Sequence, residues 1–288
     1  MSTLRGPLLM VASMAGFAVE DALIKDLTAR VPVGQVMFLL GVGGALIFAW
    51  LAARRGAGLW SMQALHGALL LRNTMEMVAA MAMILAISLV PLSVVSAVLQ
   101  AMPLAVTLGA ALFLGEPVGW RRWSAILVGF VGVLMIVRPG AEGFDPRALL
   151  PLFAVFALTA RDLATRRIQG SVTSLQVSGW GFLSVIPGGL LLMAIRGDAP
   201  MMPQALDWGL IGLTILSGVL AYIALVTATR SGSIAQTTPF RYSRLVFAML
   251  IGVLIFGERP DALTLAGSAL VVGAGLYSLM REMRLGKI

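Results

Sequence analysis

What most constrains this chain is a succession of long apolar runs, joined by short polar segments, that fills almost its whole length. A helix needs about 20 mainly apolar residues, at 1.5 Å rise each, to cross the hydrocarbon core of a bilayer. Ten such runs can be marked: Gly6 to Ala29, Val33 to Ala53, Leu65 to Leu89, Leu92 to Leu114, Trp120 to Val137, Ala148 to Thr165, Leu175 to Ile195, Trp208 to Thr229, Ile234 to Phe256 and Ala262 to Met280. Hydrophobic residues make up 59% of the chain and charged ones only 12%. A water-soluble domain carries about 25% charged residues, so this chain could not clothe itself in water. The runs are near-continuous, without the apolar/polar alternation of an outer-membrane barrel. The sequence therefore predicts an all-α polytopic membrane protein with ten transmembrane helices.

Local signals place the joints. No charge occurs from Met77 to Gly115, a stretch too long for one span, so the chain must reverse inside it. Pro91 is the expected turn, because proline starts a helix well and continues one badly. Arg161 and Asp162 cut the sixth span short. The widest gap, Arg138 to Arg147, holds Pro139, Gly140, Gly143, Asp145 and Pro146, and divides the chain into residues 1–140 and 141–288. The first run starts just after Arg5 and imitates a signal peptide, but Glu20 and Asp21 fall where a cleavage region would be; it is read as the first span.

Ten spans put both termini on one side. With the N-terminus inside, the inner joints hold Arg5, Arg54, Arg55, Arg121, Arg122, Arg166, Arg167, Arg230, Arg281, Arg284 and Lys287, and the outer ones Arg30, Arg138, Arg147, Arg196 and Arg259. Eleven against five predicts cytoplasmic termini. Trp120, Trp123 and Trp208 near span ends suit interface anchors, and His66 lies at the inner start of span three.

Several functions are excluded. The net charge of +8 and pI of 11.1 would suit a nucleic-acid partner only if the bases clustered on a solvated face; here they sit in joints and set orientation. There is no cysteine and one histidine, which leaves no thiol nucleophile, no disulfide and no His/Cys metal site. No phosphate-binding loop of the Gly-x-x-x-x-Gly-Lys-Ser/Thr type occurs. No selectivity-filter pattern points to a channel. The chain is expected to be no enzyme, to have no catalytic residue, metal or cofactor, and to meet the lipid bilayer and a small-molecule substrate as a monomer or homodimer.

The chain also repeats itself. Span four ends in Leu114-Gly115-Glu116-Pro117 and span nine in Phe256-Gly257-Glu258-Arg259-Pro260. Asp21 and Lys25 in span one recur as Asp162 and Arg166 in span six. Both matches are 141 to 142 positions apart. Each half has an odd number of spans, so the second must enter the membrane inverted. Spans five and ten carry small residues at helical spacing (Ala125, Gly129, Gly132; Gly267, Ala269, Gly273, Gly275), which suits close helix packing and a scaffold role.

A proline-containing fourth span (Pro103) ending in Leu-Gly-Glu, then a glycine-rich span, with the whole repeated to Phe-Gly-Glu, resembles the EamA branch of the drug/metabolite transporter superfamily. The resemblance runs from about Leu8 to Leu279. The second half departs from it with Leu245 where the first has Pro103, and with its own proline at Pro239. The resemblance implies two inverted five-helix repeats around a central cavity, in a multi-pass protein of the bacterial cytoplasmic (inner) membrane. It implies a secondary transporter of small organic metabolites working by alternating access. Export of amino acids or related compounds, as by YddG-like exporters, is the first expectation. Import of a vitamin, nucleoside-like or other anionic metabolite is the alternative.

Ionisable groups at membrane depth cost about 2.5–3.5 kcal/mol each on insertion scales, which makes them functional candidates. Glu20, Asp21, Arg72, Glu76, Arg241 and Arg244 lie deepest by distance from the span ends. Arg72 with Glu76, and Lys25 with Asp21, are four apart and suited to pair within a helix. Glu20 is then expected to reach one of Arg241 and Arg244, leaving the other for an anionic group of the substrate. Glu20 or Asp21 is also a candidate for proton coupling. Ser233, Thr237, Arg241, Arg244 and Ala248 form a polar stripe on span nine. Gln100 matches Tyr242 by repeat position, so both are expected at cavity height. Met75, Met77, Met81, Met83, Tyr222 and Trp180 complete the candidate pocket, as adaptable apolar lining. The expected substrate-binding set is thus Arg241, Arg244, Tyr242, Gln100, Arg72, Glu76, Tyr222 and Trp180.

Overall fold

A computed structural model describes residues 5–56, 58–59, 67–141, 144–168, 172–230 and 237–284. His66, Ser233 and Ile234 lie outside the described residues. The helices are α1 (Arg5–Thr28), α2 (Val33–Ala53), α3 (Gly67–Leu89), α4 (Leu92–Leu99), α5 (Met102–Phe113), α6 (Trp120–Val137), α7 (Leu149–Arg166), α8 (Ser174–Arg196), α9 (Ala205–Arg230), α10 (Ser243–Leu254) and α11 (Ala262–Arg284). Short 3₁₀ turns precede α7 (Pro146–Ala148) and α10 (Thr238–Tyr242). Among the described residues, nine segments are long and apolar enough to cross a membrane, with α4 and α5 together forming one of them. Their outer faces carry Leu46, Phe113, Leu127, Phe153 and Leu216, all more than half exposed. Such continuous apolar surface is stable only against lipid.

Most span ends fall within two residues of those expected. The exceptions are α11, which runs on to Arg284 rather than Met280, and α9, which begins at Ala205 rather than Trp208. Asp207 lies in its first turn, accepts from the Gln204 backbone N–H at 3.2 Å and pairs with Arg30 Nε at 2.9 Å. The start of a helix attracts a carboxylate, and the Arg30 partner lets Asp207 be buried to 2% exposure. Asp26 also pairs with Arg30, at 2.7 Å. In the sixth span Arg161 and Asp162 sit inside α7, as they do in the marked span, and pair with each other at 2.7 Å.

Contacts divide the molecule differently from the chain's two halves. One compact unit is Met1–Ala22, Leu89–Leu152 and Leu216–Ile288; the other is Leu23–Ser88 and Phe153–Ile215. Each draws helices from both halves.

The first unit is built around α6 against α11, the fifth and tenth spans. Gly132 and Gly267 face each other so closely that a Cβ on either would lie 2.6–2.7 Å from the other's carbonyl oxygen. The second unit is built around α2 against α8, the second and seventh spans. Gly34 and Gly189 meet there in the same reciprocal way, and Phe48 stacks on Phe182 with centroids 5.4 Å apart. Both pairs run antiparallel: residues 34, 41 and 44 meet residues 189, 186 and 182 in that order. Repeat-related helices that pack antiparallel are what inverted repeats require. The fold is therefore all-α, built from two inverted five-helix repeats.

The fourth span breaks near its middle, and the described part of the ninth changes helix type at the repeat-related place. The fourth turns at Gln100 and Ala101, before Pro103, whose ring cannot continue the helix and which lacks an N–H. The described part of the ninth passes from the 3₁₀ turn into α10 at Tyr242 and Ser243, 142 positions on. Gln100 Nε2 donates to the Tyr242 carbonyl at 3.1 Å. Repeat-related positions that touch one another lie on the pseudo-two-fold axis of the repeat.

Candidate substrate site

Among the described residues, two clusters of ionisable side chains lie on helices of the apolar spans, one in each compact unit.

In the first unit, α1 presents Glu20 and Asp21. Asp21, 4% exposed, accepts from Arg244 Nη2 of α10 at 2.6 Å. The Arg244 guanidinium also lies over the Phe17 ring, 5.3 Å from its centroid. The pairing thus differs from the expectation that Glu20 would reach an arginine. Glu20 and Asp21 point 100° apart around a helix of 3.6 residues per turn, and only Asp21 faces α10. The Glu20 carboxylate instead lies against Gly218 of α9, where a Cβ would come within 2.4 Å of Oε1. Two hydroxyls pin α1 to α9 around this contact: Ser13 Oγ donates to the Ala221 carbonyl at 2.7 Å, and Ser217 Oγ to the Gly16 carbonyl at 2.9 Å.

Tyr242 is 7% exposed, and its hydroxyl packs against Gly275 of α11. Gln100 is 8% exposed and bonded to the Tyr242 backbone. Both hold the axis in this structure. Arg241 is exposed in the 3₁₀ turn, and Tyr222 is partly buried on α9. The even spacing expected of the span-nine stripe is interrupted, because a 3₁₀ turn has three residues per turn and shifts Arg241 relative to Arg244.

In the second unit, Arg72 and Glu76 of α3 pair at 2.7 Å, as the i, i+4 spacing predicts. The network is larger than the sequence suggested. Arg161 of α7 reaches both Glu76 oxygens at 3.3 Å and pairs with Asp162. Arg72 Nη1 also donates to Asn73 Oδ1 and to the Val177 carbonyl of α8, both at 3.1 Å. Gly181 leaves room for that guanidinium, since a Cβ there would meet Nη1 at 2.7 Å. Trp180, 3% exposed, donates its indole N–H to the Leu59 carbonyl at 2.6 Å and so ties α8 to the segment after α2. Met77 and Met81 pack on Gly188. Lys25 Nζ donates to the Ile87 carbonyl at 3.3 Å.

The repeat motif has its own role. Glu258 accepts from the backbone N–H groups of Leu92 (2.5 Å) and Ser93 (2.9 Å) and from Ser93 Oγ (2.7 Å), capping the start of α4. Gly252 leaves space for this carboxylate. The motif was visible as a repeat mark, but its capping partner was not. At the far end of α6, Arg138 holds the Asp261 carboxyl well below the usual carboxylate range through a direct hydrogen bond, helped by the Thr264 backbone N–H at 2.8 Å.

Fold and buried charge together define a duplicated, multi-pass α-helical membrane protein. A model of the EamA-like transporter family matches residues 4–138 and again residues 147–280, and the chain belongs to that family. It lies within the drug/metabolite transporter superfamily that the motifs suggested. The chain is 33% identical over 200 residues to the riboflavin transporter of Rhizobium johnstonii, covering 68% of this chain and 64% of that protein's length. It is 26% identical over 200 residues to the S-adenosylmethionine uptake transporter of Rickettsia bellii, covering 69% and 67%. It is 30% identical over 274 residues to the pseudopaline exporter CntI of Pseudomonas aeruginosa, covering 93% and 94%. A solved crystal structure 19% identical in sequence matches with a TM-score of 0.62 over 99% of this chain and 98% of that one, which shows the fold.

Proposed function

We propose that this protein is a secondary transporter that moves small organic metabolites across the bacterial cytoplasmic membrane by alternating access, with both termini in the cytoplasm. The observation that carries this is the Glu20–Asp21–Arg244 cluster, kept on two broken or packed helices inside the membrane span of a duplicated chain. Such groups cost free energy at depth, and a polar solute crossing the membrane gives them a use. Family membership supports the transporter class. Inverted repeats support alternating access, because two similar halves of opposite orientation have two near-equivalent packings.

Export of amino acids or related compounds is the preferred direction and substrate class. It is favoured by the exporter that aligns over 93% of this chain, whereas the riboflavin and S-adenosylmethionine transporters align over about two thirds of it. The names of those two keep import of a vitamin or nucleoside-like metabolite as the alternative. The test is counterflow into vesicles of purified protein with a panel of labelled amino acids, vitamins and nucleosides. Saturable flux stimulated by substrate on the far side is expected; flux that rises linearly without saturation overturns the carrier reading.

A further inference from the structure

We infer that the Glu20 carboxylate, lying on the bare backbone of Gly218, is the recognition point for a positively charged nitrogen on the transported solute. This rests on the carrier reading above and adds the substrate's charge to it.

The two ionic clusters contain the same pair of positions twice. Arg161 follows Glu20 by 141 positions, and Gly218 follows Glu76 by 142, the spacing of the whole repeat. In the second unit this pair is Arg161 with Glu76, a complete ion pair with both carboxylate oxygens 3.3 Å from Nη1. In the first unit it is Glu20 with Gly218, and the position that supplies a charged partner in one repeat supplies only a hydrogen in the other. A Cβ on Gly218 would lie 2.4 Å from Oε1 and 3.0 Å from Oε2, so the carboxylate rests flat where a side chain would stand.

Charge balance points the same way. Arg72 and Arg161 face Glu76 and Asp162, two of each sign. In the first unit, among the described residues, the partner of this acid pair is the guanidinium of Arg244, which bonds to Asp21 and not to Glu20. Among the described residues the Glu20 carboxylate makes no hydrogen bond or ion pair. The neighbouring hydroxyls of Ser13 and Ser217 are spent on backbone carbonyls. Glu20 is the sixteenth residue of a 24-residue helix, about 12 Å from its C-terminal end, so it is removed from headgroup cations. A carboxylate at that depth favours a cation brought to it, and an ammonium offers a compact charge with donors to match.

The test uses purified protein in vesicles and matched solute pairs: an amino acid, and the same compound with hydrogen in place of its ammonium. For Glu20→Gln the half-saturation concentration of the amine-bearing solute should rise at least about tenfold, while that of the desamino partner stays unchanged. Glu20→Asp, which keeps the charge, should retain the preference for the amine. Gly218→Ala, which displaces the carboxylate, should weaken it. A Glu20→Gln protein that keeps the wild-type preference overturns the inference. One that loses both solutes equally, or does not fold, also overturns it and makes the carboxylate a coupling or structural group. Wild-type protein without saturable flux of any solute overturns the carrier reading itself.

Discussion

The ionic clusters of the two compact units sit at repeat-related places but are built to different ends. Around Glu76, charge is balanced and each group has an ionic partner; Glu76 with Arg161 ties α3 to α7, and Arg72 ties α3 to α8. Around Glu20, among the described residues, Arg244 bonds to Asp21 alone, and a glycine stands at the repeat position that carries Glu76 in the other unit. Duplication supplied one scaffold twice. In one copy the position is a helix tie; in the other the carboxylate has no bonded partner among the described residues. A buried pair resists losing one member because the survivor is left uncompensated, whereas a carboxylate without a bonded partner has little to lose.

The largest effects should therefore fall on the balanced pairs. Glu76→Gln leaves Arg72 and Arg161 facing each other, and should cost about 3 kcal/mol or more in detergent unfolding; Asp21→Asn strands Arg244 and belongs in the same range. Glu20→Gln should change stability by less than about 1 kcal/mol in the same assay. Equal losses for Glu76→Gln and Glu20→Gln would break the contrast. For the same reason Arg244→Gln should reduce folded protein as well as transport, because it uncovers Asp21.

Glu258→Gln comes next. It keeps one acceptor but turns an amide N–H toward the Ser93 donors, and should cost about 1–2 kcal/mol, the range of a lost helix cap, readable as faster amide exchange at Leu92 and Ser93. Two glycines of α9 sharpen the comparison further. Gly212 has nothing within 4 Å of a built Cβ, whereas Gly218 has the Glu20 carboxylate. Gly212→Ala should be neutral or stabilising by less than about 1 kcal/mol, while Gly218→Ala should leave stability within about 1 kcal/mol of wild type yet lower flux.

The smallest effect is expected at Arg138–Asp261, which is largely exposed and worth about 1 kcal/mol or less. The folded state holds the Asp261 carboxyl lower than the unfolded state does. Its contribution is then present above the unfolded value and fades as pH falls below about 4. Asp261→Asn should remove this part of the acid dependence from a melting-temperature profile.

How much was legible follows from the reach of each signal. The Arg72–Glu76 pair could be read because both partners share one helix, where spacing fixes proximity. Asp21–Arg244 could be read only as a set of candidates: the residues were named, but the rotation of α1 about its axis decides whether residue 20 or 21 meets α10. Arg161 was seen as a span-breaker rather than a site residue, since its partner Glu76 lies 85 positions away. Trp180 and Tyr242 were chosen for chemistry and turn out to hold Leu59 and pack on Gly275, contacts that no periodicity reports.

The amino-acid sequence alone determined the membrane class, most of the described span boundaries and the duplication, because hydrophobicity and repeated motifs act locally along the chain. Only the tertiary structure decided which charge is matched and which is not, and that a glycine from a distant span lies under Glu20. Helix rotation and long-range contact set those facts, and a residue with no side chain leaves no trace of what it makes room for until its neighbour is in place.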